Sequence, residues 1–323
     1  MEIIAKVGIY GDLHLNSKNY GAHRDYSKES LEYLHKITEL VKENNITHLI
    51  GLGDFSFGRF HSLEYRDSVD KELTEQYRLT NGNHFELFGN HDVAGYGTVE
   101  RDYYISRGLL RPSQNFSLGN VNFTMVDYGK TKTTQMNILD DDTHINVVLA
   151  HDFYKFSSVG LSNFGKAIEL DHLENWFGTD LLICGHVHKI MDFDGYIAKG
   201  DTLVHKVQVK YPGCMMRPSY REGHEDTVGR LIEIVIYADG KVDVNDLDFP
   251  LWALEESFNL ETKSKEKAKK EEKQSRVDIS DVVKQLDMHD RNVGNPEDII
   301  SSMDGIDDKY KNKAIDLLKI AMG

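Results

Sequence analysis

Residues 85–92 read Phe85-Glu-Leu-Phe-Gly-Asn-His-Asp92, a short apolar run that ends in a polar tetrapeptide. The run is typical of a buried β-strand, and the Gly-Asn pair is typical of the turn in which such a strand ends. Asn90, His91 and Asp92 offer an amide oxygen, an imidazole and a carboxylate. We therefore predict a strand whose carboxyl end carries functional side chains.

Four similar motifs lie elsewhere in the chain, and each of them also closes an apolar, strand-like run. They are Asp12-Leu-His14, Gly53-Asp54, Ala150-His151 and Gly185-His186-Val-His188. Asp12 and His14 are two residues apart, so in an extended chain both point to the same side and can reach one ion. We expect all five motifs to converge at one edge of a sheet.

Together the motifs supply two carboxylates, one carboxamide and several imidazoles, which suit a pair of divalent metal ions with a spare histidine beside them. Mixed nitrogen and oxygen ligands favour transition metals over Ca²⁺. We expect two divalent ions, with Mn²⁺ as the first candidate and Mg²⁺, Fe²⁺, Zn²⁺ or Ni²⁺ as alternatives. Each motif alone has an ordinary explanation, since Gly-Asp is a common turn and a single His151 is more often a core residue than a ligand. The joint pattern favours a metal site.

Strands and helices alternate over the first part of the chain, which predicts parallel strands joined by crossover helices. Further along, Gly119-Asn120 and Asp239-Gly240 are turn signals between antiparallel strands. Leu170, Leu173 and Phe177 indicate a helix between two apolar strands. The pattern predicts an α/β fold in which two sheets pack together with helices outside. Predicted strands cover residues 3–10, 46–52, 85–88, 116–118, 121–126, 145–150, 181–184, 204–211, 231–237 and 242–247.

The composition is that of a folded chain, with 323 residues of which 40% are hydrophobic and 28% charged. The sequence contains no apolar run of about 18 residues, so we expect no membrane span. The first residues lack the basic and then apolar order of a signal peptide. The only cysteines are Cys184 and Cys214, which favours a reducing, cytoplasmic location. The net charge of −15 neither supports nor excludes nucleic-acid binding, because a local basic patch could still serve.

The composition changes after Leu254, which we take as the end of a domain at residues 1–254. Residues 255–276 are predicted to be a charged linker, because residues 261–276 hold no large apolar side chain. Residues 277–323 contain short amphipathic patterns typical of helices. This tail is either a helical element that docks a partner, or a small self-packed cap or disordered extension.

The order Asp-x-His, Gly-Asp, Gly-Asn-His-Asp, His, Gly-His-x-His resembles that of the calcineurin-like metallophosphoesterases, over about residues 3–250. The resemblance implies a four-layer αββα sandwich, in agreement with the predicted strands. It also implies that one ion is held by Asp12, His14, Asp54 and His188, and the other by Asp54, Asn90, His151 and His186. Asp54 would then be the bridge. His91 would contact the scissile phosphate and protonate the leaving oxygen, and Asp92 would either orient His91 or cap the turn.

The family includes protein phosphatases, cyclic-nucleotide phosphodiesterases, lipid-precursor pyrophosphatases and DNA nucleases. The Asp-Arg-Gly of the protein phosphatases is missing here, because Asp54 is followed by Phe-Ser-Phe-Gly-Arg59. The segment Tyr211-Pro-Gly-Cys-Met-Met-Arg-Pro218 is similar to the one that closes the core of SbcD-type repair nucleases and their phage counterparts, with Cys214 in place of the usual serine. This resemblance implies a DNA exo- or endonuclease of repair, recombination or replication. It also implies a tail that binds an SMC-like coiled-coil ATPase, and such nucleases are often homodimers.

Two other interpretations remain open. The acidic net charge and the lack of a separate DNA-capping domain between Gly213 and Leu254 favour a small-molecule phosphodiesterase that cleaves cyclic nucleotides or similar esters. A metal-free scaffold could also keep the fold, but it would have no need of intact ligands at every motif.

Overall fold

A computed structural model of the chain describes residues 1–19, 23–93, 98–139, 141, 143–156, 167–199, 203–217, 228–259, 311–312 and 315. The chain divides into two units, Met1–Phe258 and Asn259–Gly323. The helices and strands with defined bounds all lie in the first unit. Most of the predicted linker at 255–276 and of the predicted tail at 277–323 lies outside the described residues, so these domain boundaries stay predictions.

Two six-stranded sheets contain most of the strands of the first unit. In chain order the strands are β1 (Ile3–Tyr10), β2 (His48–Gly51), β3 (His84–Glu86), β4 (Arg111–Pro112), β5 (Phe116–Leu118), β6 (Val121–Val126), β7 (Ile145–His151), β8 (Tyr154–Lys155), β9 (Ile168–Glu169), β10 (Leu181–Gly185), β11 (Met191–Lys199), β12 (Leu203–Tyr211), β13 (Val228–Tyr237) and β14 (Val242–Pro250). The first sheet has the order β14-β13-β1-β2-β3-β4, and the second has the order β11-β12-β10-β7-β6-β5. Strands β8 and β9 form a small separate pair.

The helices of this unit are α1 (Tyr26–Glu43), α2 (Leu63–Leu79), α3 (Asn90–Val93), α4 (Thr98–Ser106) and α5 (Leu254–Ser257). The two long helices begin at side-chain caps, because Asp25 accepts a hydrogen bond from the main-chain N–H of Lys28 and Ser62 accepts one from that of Tyr65. Among the described residues, no helix combines the length and the apolar character that a bilayer crossing requires.

Both sheets combine parallel and antiparallel pairing: the antiparallel pairs lie on one side of the first sheet and at both edges of the second. Strands β1, β2, β3 and β4 are parallel neighbours in the first sheet, and β6, β7, β10 and β12 are parallel neighbours in the second. The late antiparallel strands are divided between the sheets. In the second sheet β11 pairs with β12, and in the first sheet β13 pairs with β1 and β14 pairs with β13. Each sheet therefore brings the carboxyl ends of several strands to one edge, where ligands bind in open α/β sheets.

Three apolar clusters separate four layers. The middle cluster fills the space between the sheets and includes Ile9 of the first sheet and Ile183 of the second. Another cluster joins the first sheet to the two long helices and includes Ile37 and Val69. The third covers the other face of the second sheet and includes Trp176. The predicted α/β fold, a four-layer αββα sandwich, is confirmed.

The sequence prediction did not include the short helices α3, α4 and α5 or the short strands β4, β8 and β9, and two further local features differ from it. The helix expected at Leu170, Leu173 and Phe177 is instead a pair of 3₁₀ turns, Leu170–His172 and Glu174–Trp176. Its buried apolar residues recur every three positions, which matches the three residues per turn of a 3₁₀ helix. Strand β11 was not predicted, because charged residues interrupt its apolar positions; it pairs along its whole length with β12.

A close contact between Gly11 and Gly213 fixes the Asp12-Leu-His14 motif relative to the segment that follows β12. A Cβ at Gly11 would overlap the carbonyl oxygen of Gly213, so these two segments of the chain can approach this closely only because residue 11 has no side chain. The crossing lies next to Asp12 and thus sets the position of the loop that carries it.

We expect Gly11→Ala to destabilise the protein by roughly 1–3 kcal/mol, because overpacking against a backbone carbonyl cannot be relieved by a rotamer change. The variant should also take up less divalent metal. Gly108→Ala is the control, since a Cβ there meets no other atom within 4 Å and only the backbone strain of its φ of +72° remains. Thermal unfolding and metal analysis measure both effects, and normal metal uptake by a folded Gly11→Ala protein would contradict this role.

Candidate metal centre

All five motifs lie at carboxyl ends of parallel strands. Asp12 and His14 follow β1, Asp54 follows β2, and Asn90 begins α3 just after β3. In the second sheet, His151 is the last residue of β7, and His186 and His188 follow β10. The two sheets face one another across the middle apolar cluster, and the structure brings these seven side chains together at one edge.

A first group of donors surrounds the Nε2 atom of His14. This atom lies 3.1 Å from Nε2 of His188, 3.9 Å from Oδ2 of Asp12 and 3.8 Å from Oδ2 of Asp54. Nε2 of His188 lies 3.3 Å from Oδ2 of Asp12. The group has the members that the resemblance implied for one ion.

A second group of donors surrounds the side-chain oxygen of Asn90. It lies 2.7 Å from Nδ1 of His186 and 3.0 Å from Nε2 of His151. Nε2 of His151 lies in turn 3.5 Å from Oδ2 of Asp54. The same carboxylate oxygen of Asp54 thus faces both groups, which is the position that a bridging ligand needs.

The main chain is strained where it presents these donors. His14, Asp54 and His186 have φ values of +49°, +53° and +74°, in the left-handed region that non-glycine residues rarely occupy. Hydrogen bonds hold two of them in place: the N–H of His14 donates to the carbonyl of Asp54 at 2.9 Å, and the N–H of His186 donates to the carboxylate of Asp12 at 3.0 Å. Such strain is typical of functional sites, because the surrounding contacts must maintain it.

Charge in the pocket is distributed as a metal site requires. Burial alone would raise the pKa of Asp12 and of Asp54, but the neighbouring histidines, chiefly His151, lower both below the usual value. Burial alone would lower the pKa of His151, but these two carboxylates raise it to about 9. The pocket therefore keeps two buried anions and draws positive charge to them, and divalent cations supply such charge.

His14 of the first group is ready to bind a cation. Burial lowers the pKa of His14 to about 4, so its ring is neutral at neutral pH, as a metal ligand must be. Its Nδ1 atom is buried and has no hydrogen-bond partner in the part of the chain that the structure describes. The donor set, with buried carboxylates, an amide oxygen and imidazole nitrogens that are neutral once a metal is bound, fits two divalent metals.

His91 differs from the ligands in its exposure. Its side chain is 38% exposed, whereas those of His14 and Asp54 are almost completely buried. The N–H of His91 donates to Oδ1 of Asp54 at 2.8 Å, and its ring packs against Phe57 with a centroid distance of 4.9 Å. A ring that is fixed beside the Asp54 carboxylate and partly open to solvent can reach a bound substrate.

Asp92 holds the loops of the site together. Its Oδ2 accepts hydrogen bonds from the N–H of Asp54 at 3.1 Å and from that of Gly89 at 2.9 Å. It therefore links the second motif to the third, which favours the turn-capping alternative over the orientation of His91. Burial raises the pKa of this carboxyl to about 7. A Cβ at Gly89 would overlap Oδ1 of Asp54, which explains the glycine at this position.

Three residues near the site were not assigned a role from the sequence. The buried Glu86 accepts hydrogen bonds from the N–H of Gly53 and from the hydroxyl of Tyr10. Tyr128 follows the end of β6 and lies beside His186, with ring centroids 6.0 Å apart. Phe57 lies beside His91. The position of Tyr128 just after a strand was an available signal, whereas Glu86 looked like a residue inside an apolar run.

The chain was compared with protein-family models, solved structures and curated protein sequences. The family model described as calcineurin-like phosphoesterase matches residues 5–190. Among solved structures, the chain is similar to a dimetal phosphatase from Danio rerio, with 13% sequence identity, a TM-score of 0.45, and coverage of 78% of this chain and 100% of that chain. This degree of likeness carries no argument about substrate. No curated protein sequence matches the chain significantly.

The family match covers more than half of the chain, and it contains all five motifs that meet at the shared sheet edge. The chain therefore belongs to the calcineurin-like phosphoesterase family and is a metal-dependent phosphoester hydrolase.

Proposed function

We propose that this hydrolase is a two-metal-dependent DNA nuclease of the SbcD type, an exo- or endonuclease of repair, recombination or replication. The observation that carries the proposal is a pair of half-buried aromatic rings on the two donor groups. Phe57 packs against His91 and His14, and Tyr128 packs against His186 and His151. Rings beside a phosphate-cleaving centre suit the stacking of nucleotide bases on either side of the scissile bond.

We assign one metal ion to each of the two donor groups. Asp12, His14, Asp54 and His188 would hold one ion, and Asp54, Asn90, His151 and His186 would hold the other, with Mn²⁺ as the first candidate. When bound, two such ions lower the pKa of a water molecule and neutralise the charge on phosphate oxygens. The role of the chain is to keep these donors in place, and Asp92 does so through the main chain of the second and third motifs.

His91 is the proposed general acid. It is the exposed histidine of the centre, and its main-chain N–H is anchored on Asp54, so its ring can face the phosphate without itself being a ligand. A protonated imidazole in this place can donate its proton to the leaving oxygen, which would otherwise depart as an unstable alkoxide. Phe57 limits the movement of the ring from one side.

Local charge supports contact with a nucleic-acid backbone although the whole chain is acidic. Exposed basic residues lie on loops that follow the carboxyl ends of strands at this edge of the sheets. Lys18, Arg59 and Lys189 follow three of the motifs closely in sequence, and Lys130 and Lys132 follow β6. Basic side chains around a cleavage site bind phosphates by electrostatic attraction and release of counterions. A local basic rim of this kind offsets the net charge of −15 where the substrate would bind.

The partners of the proposed nuclease remain proposals from the sequence. Residues 277–323 are the proposed docking element for an SMC-like coiled-coil ATPase, which would help to position the DNA. A homodimer and a cytoplasmic location belong to the same proposal. Pull-down from cell extract by the full chain and by a chain that lacks residues 277–323 tests the partner, since capture of such an ATPase must depend on the tail.

A second candidate is a phosphodiesterase of cyclic nucleotides or similar small esters. Between Gly213 and Leu254 the described residues form β13 and β14, which complete the first sheet. The described residues of this stretch include no separate DNA-capping domain, which together with the acidic net charge favours a small substrate.

His91→Ala should lower kcat by roughly 10²- to 10⁴-fold, because the leaving oxygen loses its proton donor. Metal content should stay unchanged, since His91 is not a proposed ligand. The control is His144→Ala at the opposite end of β7, where the ring pairs with Asp141 and takes no part in the centre. Steady-state rates on linear duplex DNA and metal analysis distinguish the effects. Unchanged kcat in a folded His91→Ala protein would remove His91 from the mechanism.

Phe57→Ala and Tyr128→Ala should weaken cleavage of DNA much more than cleavage of a model phosphodiester without bases. Loss of one stacked base is worth about 1–3 kcal/mol, which corresponds to roughly a 5- to 150-fold fall in kcat/KM on DNA. Tyr77→Ala, an exposed tyrosine on α2, is the matched control. Equal losses on both substrates would contradict base stacking. A preference of the wild-type enzyme for cyclic nucleotides over oligonucleotides would select the second candidate instead.

A further inference from the structure

The segment that follows β12 lies directly behind the first group of donors. The N–H of Cys214 donates to the carbonyl of His188 at 3.3 Å, and the N–H of Met215 donates to the carbonyl of Asp12 at 2.9 Å. The segment is therefore tied to both loops that supply this group. The close crossing of Gly11 and Gly213 holds it from a third side.

The side chain of Cys214 is directed towards the same donors. Its Sγ atom, one ring nitrogen of His14 and one ring nitrogen of His188 all lie within 4.8 Å of one another. The Cys214 side chain is buried, and its thiol donates a weak hydrogen bond to the carbonyl of Asp12 at 3.2 Å. Two imidazoles and a thiol that converge in this way are a common donor set for a transition metal.

We propose that Cys214 is a thiolate ligand of the ion held by Asp12, His14, Asp54 and His188. Binding would release the thiol proton to solvent, and a sulfur–metal bond would replace the weak hydrogen bond to Asp12. The proposal rests on the metal assignment of the proposed function, but it does not depend on DNA as the substrate.

A thiolate changes which metal the site prefers. Soft sulfur ligands favour Zn²⁺, Fe²⁺ or Co²⁺, whereas Mg²⁺ and Mn²⁺ prefer oxygen. The two halves of the centre would then differ, since the second group offers an amide oxygen from Asn90 where the first offers sulfur. The protein would bind a soft divalent ion in the first group and tolerate a harder ion in the second.

The ordinary alternative is that Cys214 is a small buried residue whose thiol only supports the Asp12 loop. The distinction can be made because the chain has one other cysteine. Cys184 lies in β10, is completely buried in the third apolar cluster, and is not among the converging donors. Cys184→Ala therefore removes a thiol without touching the centre, and it is the matched control for Cys214→Ser.

Absorption spectroscopy of the full chain loaded with Co²⁺ tests the proposal. Wild type and Cys184→Ala should show the near-ultraviolet charge-transfer band of a sulfur–cobalt bond, and Cys214→Ser should lack it while it keeps the visible bands of bound cobalt. In competition experiments Cys214→Ser should lose Zn²⁺ affinity by roughly 10- to 100-fold or more, with a smaller loss for Mn²⁺.

Each other outcome overturns a defined part of the proposal. Bound cobalt without a charge-transfer band in wild type, or a band that persists in Cys214→Ser, would exclude the thiolate and leave the remaining metal centre intact. If wild type took up no cobalt, zinc or manganese at all, the proposed metal ligands would fail together with the thiolate.

Discussion

The carboxylate of Asp54 lies where two groups of donors meet, and it is almost completely buried. Asp12 lies in the same pocket at the same depth, and the ion pairs of these two residues, within the described ranges, are with histidines. Two anions removed from water are stable only beside compensating positive charge. Before a metal binds, protonated His151 provides part of it; a bound divalent cation would replace that proton and provide the compensation instead, because a histidine ligand must be neutral. The pocket therefore depends on cations for its stability as well as for its chemistry.

The fold bears the cost of presenting these donors. His14, Asp54 and His186 adopt left-handed backbone conformations, which cost of order 1–3 kcal/mol each. Where residues 11 and 213 cross, the absence of a side chain on Gly11 lets two segments of the chain come into contact. Strands β1, β2 and β3 in one sheet and β7 and β10 in the other provide the rigid frame. The middle apolar cluster keeps the two frames in contact, so that ligands from both sheets meet at one edge. The strained backbone of the metal-centre loops is thus held in place by the regular sheets and the apolar cluster between them.

Much of this arrangement could be predicted because it follows from strand ends. Apolar runs that end in polar motifs indicated the parallel strands, and their order indicated a shared edge that brings Asp12, Asn90 and His186 together. The 3₁₀ turns near Trp176 and the strand β11 were not predictable in the same way, since a three-residue spacing suits two kinds of helix and charges interrupt the strand pattern. The contacts of Asp92 and Cys214 depend on how separate loops pack, and no local pattern encodes them.

Anomalous diffraction from crystals of the full chain grown with Mn²⁺ tests the two-metal centre most directly. Two anomalous peaks should appear at the shared sheet edge, one beside His14 and His188 and the other beside His151 and His186, with the carboxylate of Asp54 in contact with both. A single peak, or two peaks that do not share Asp54, would contradict the proposed centre.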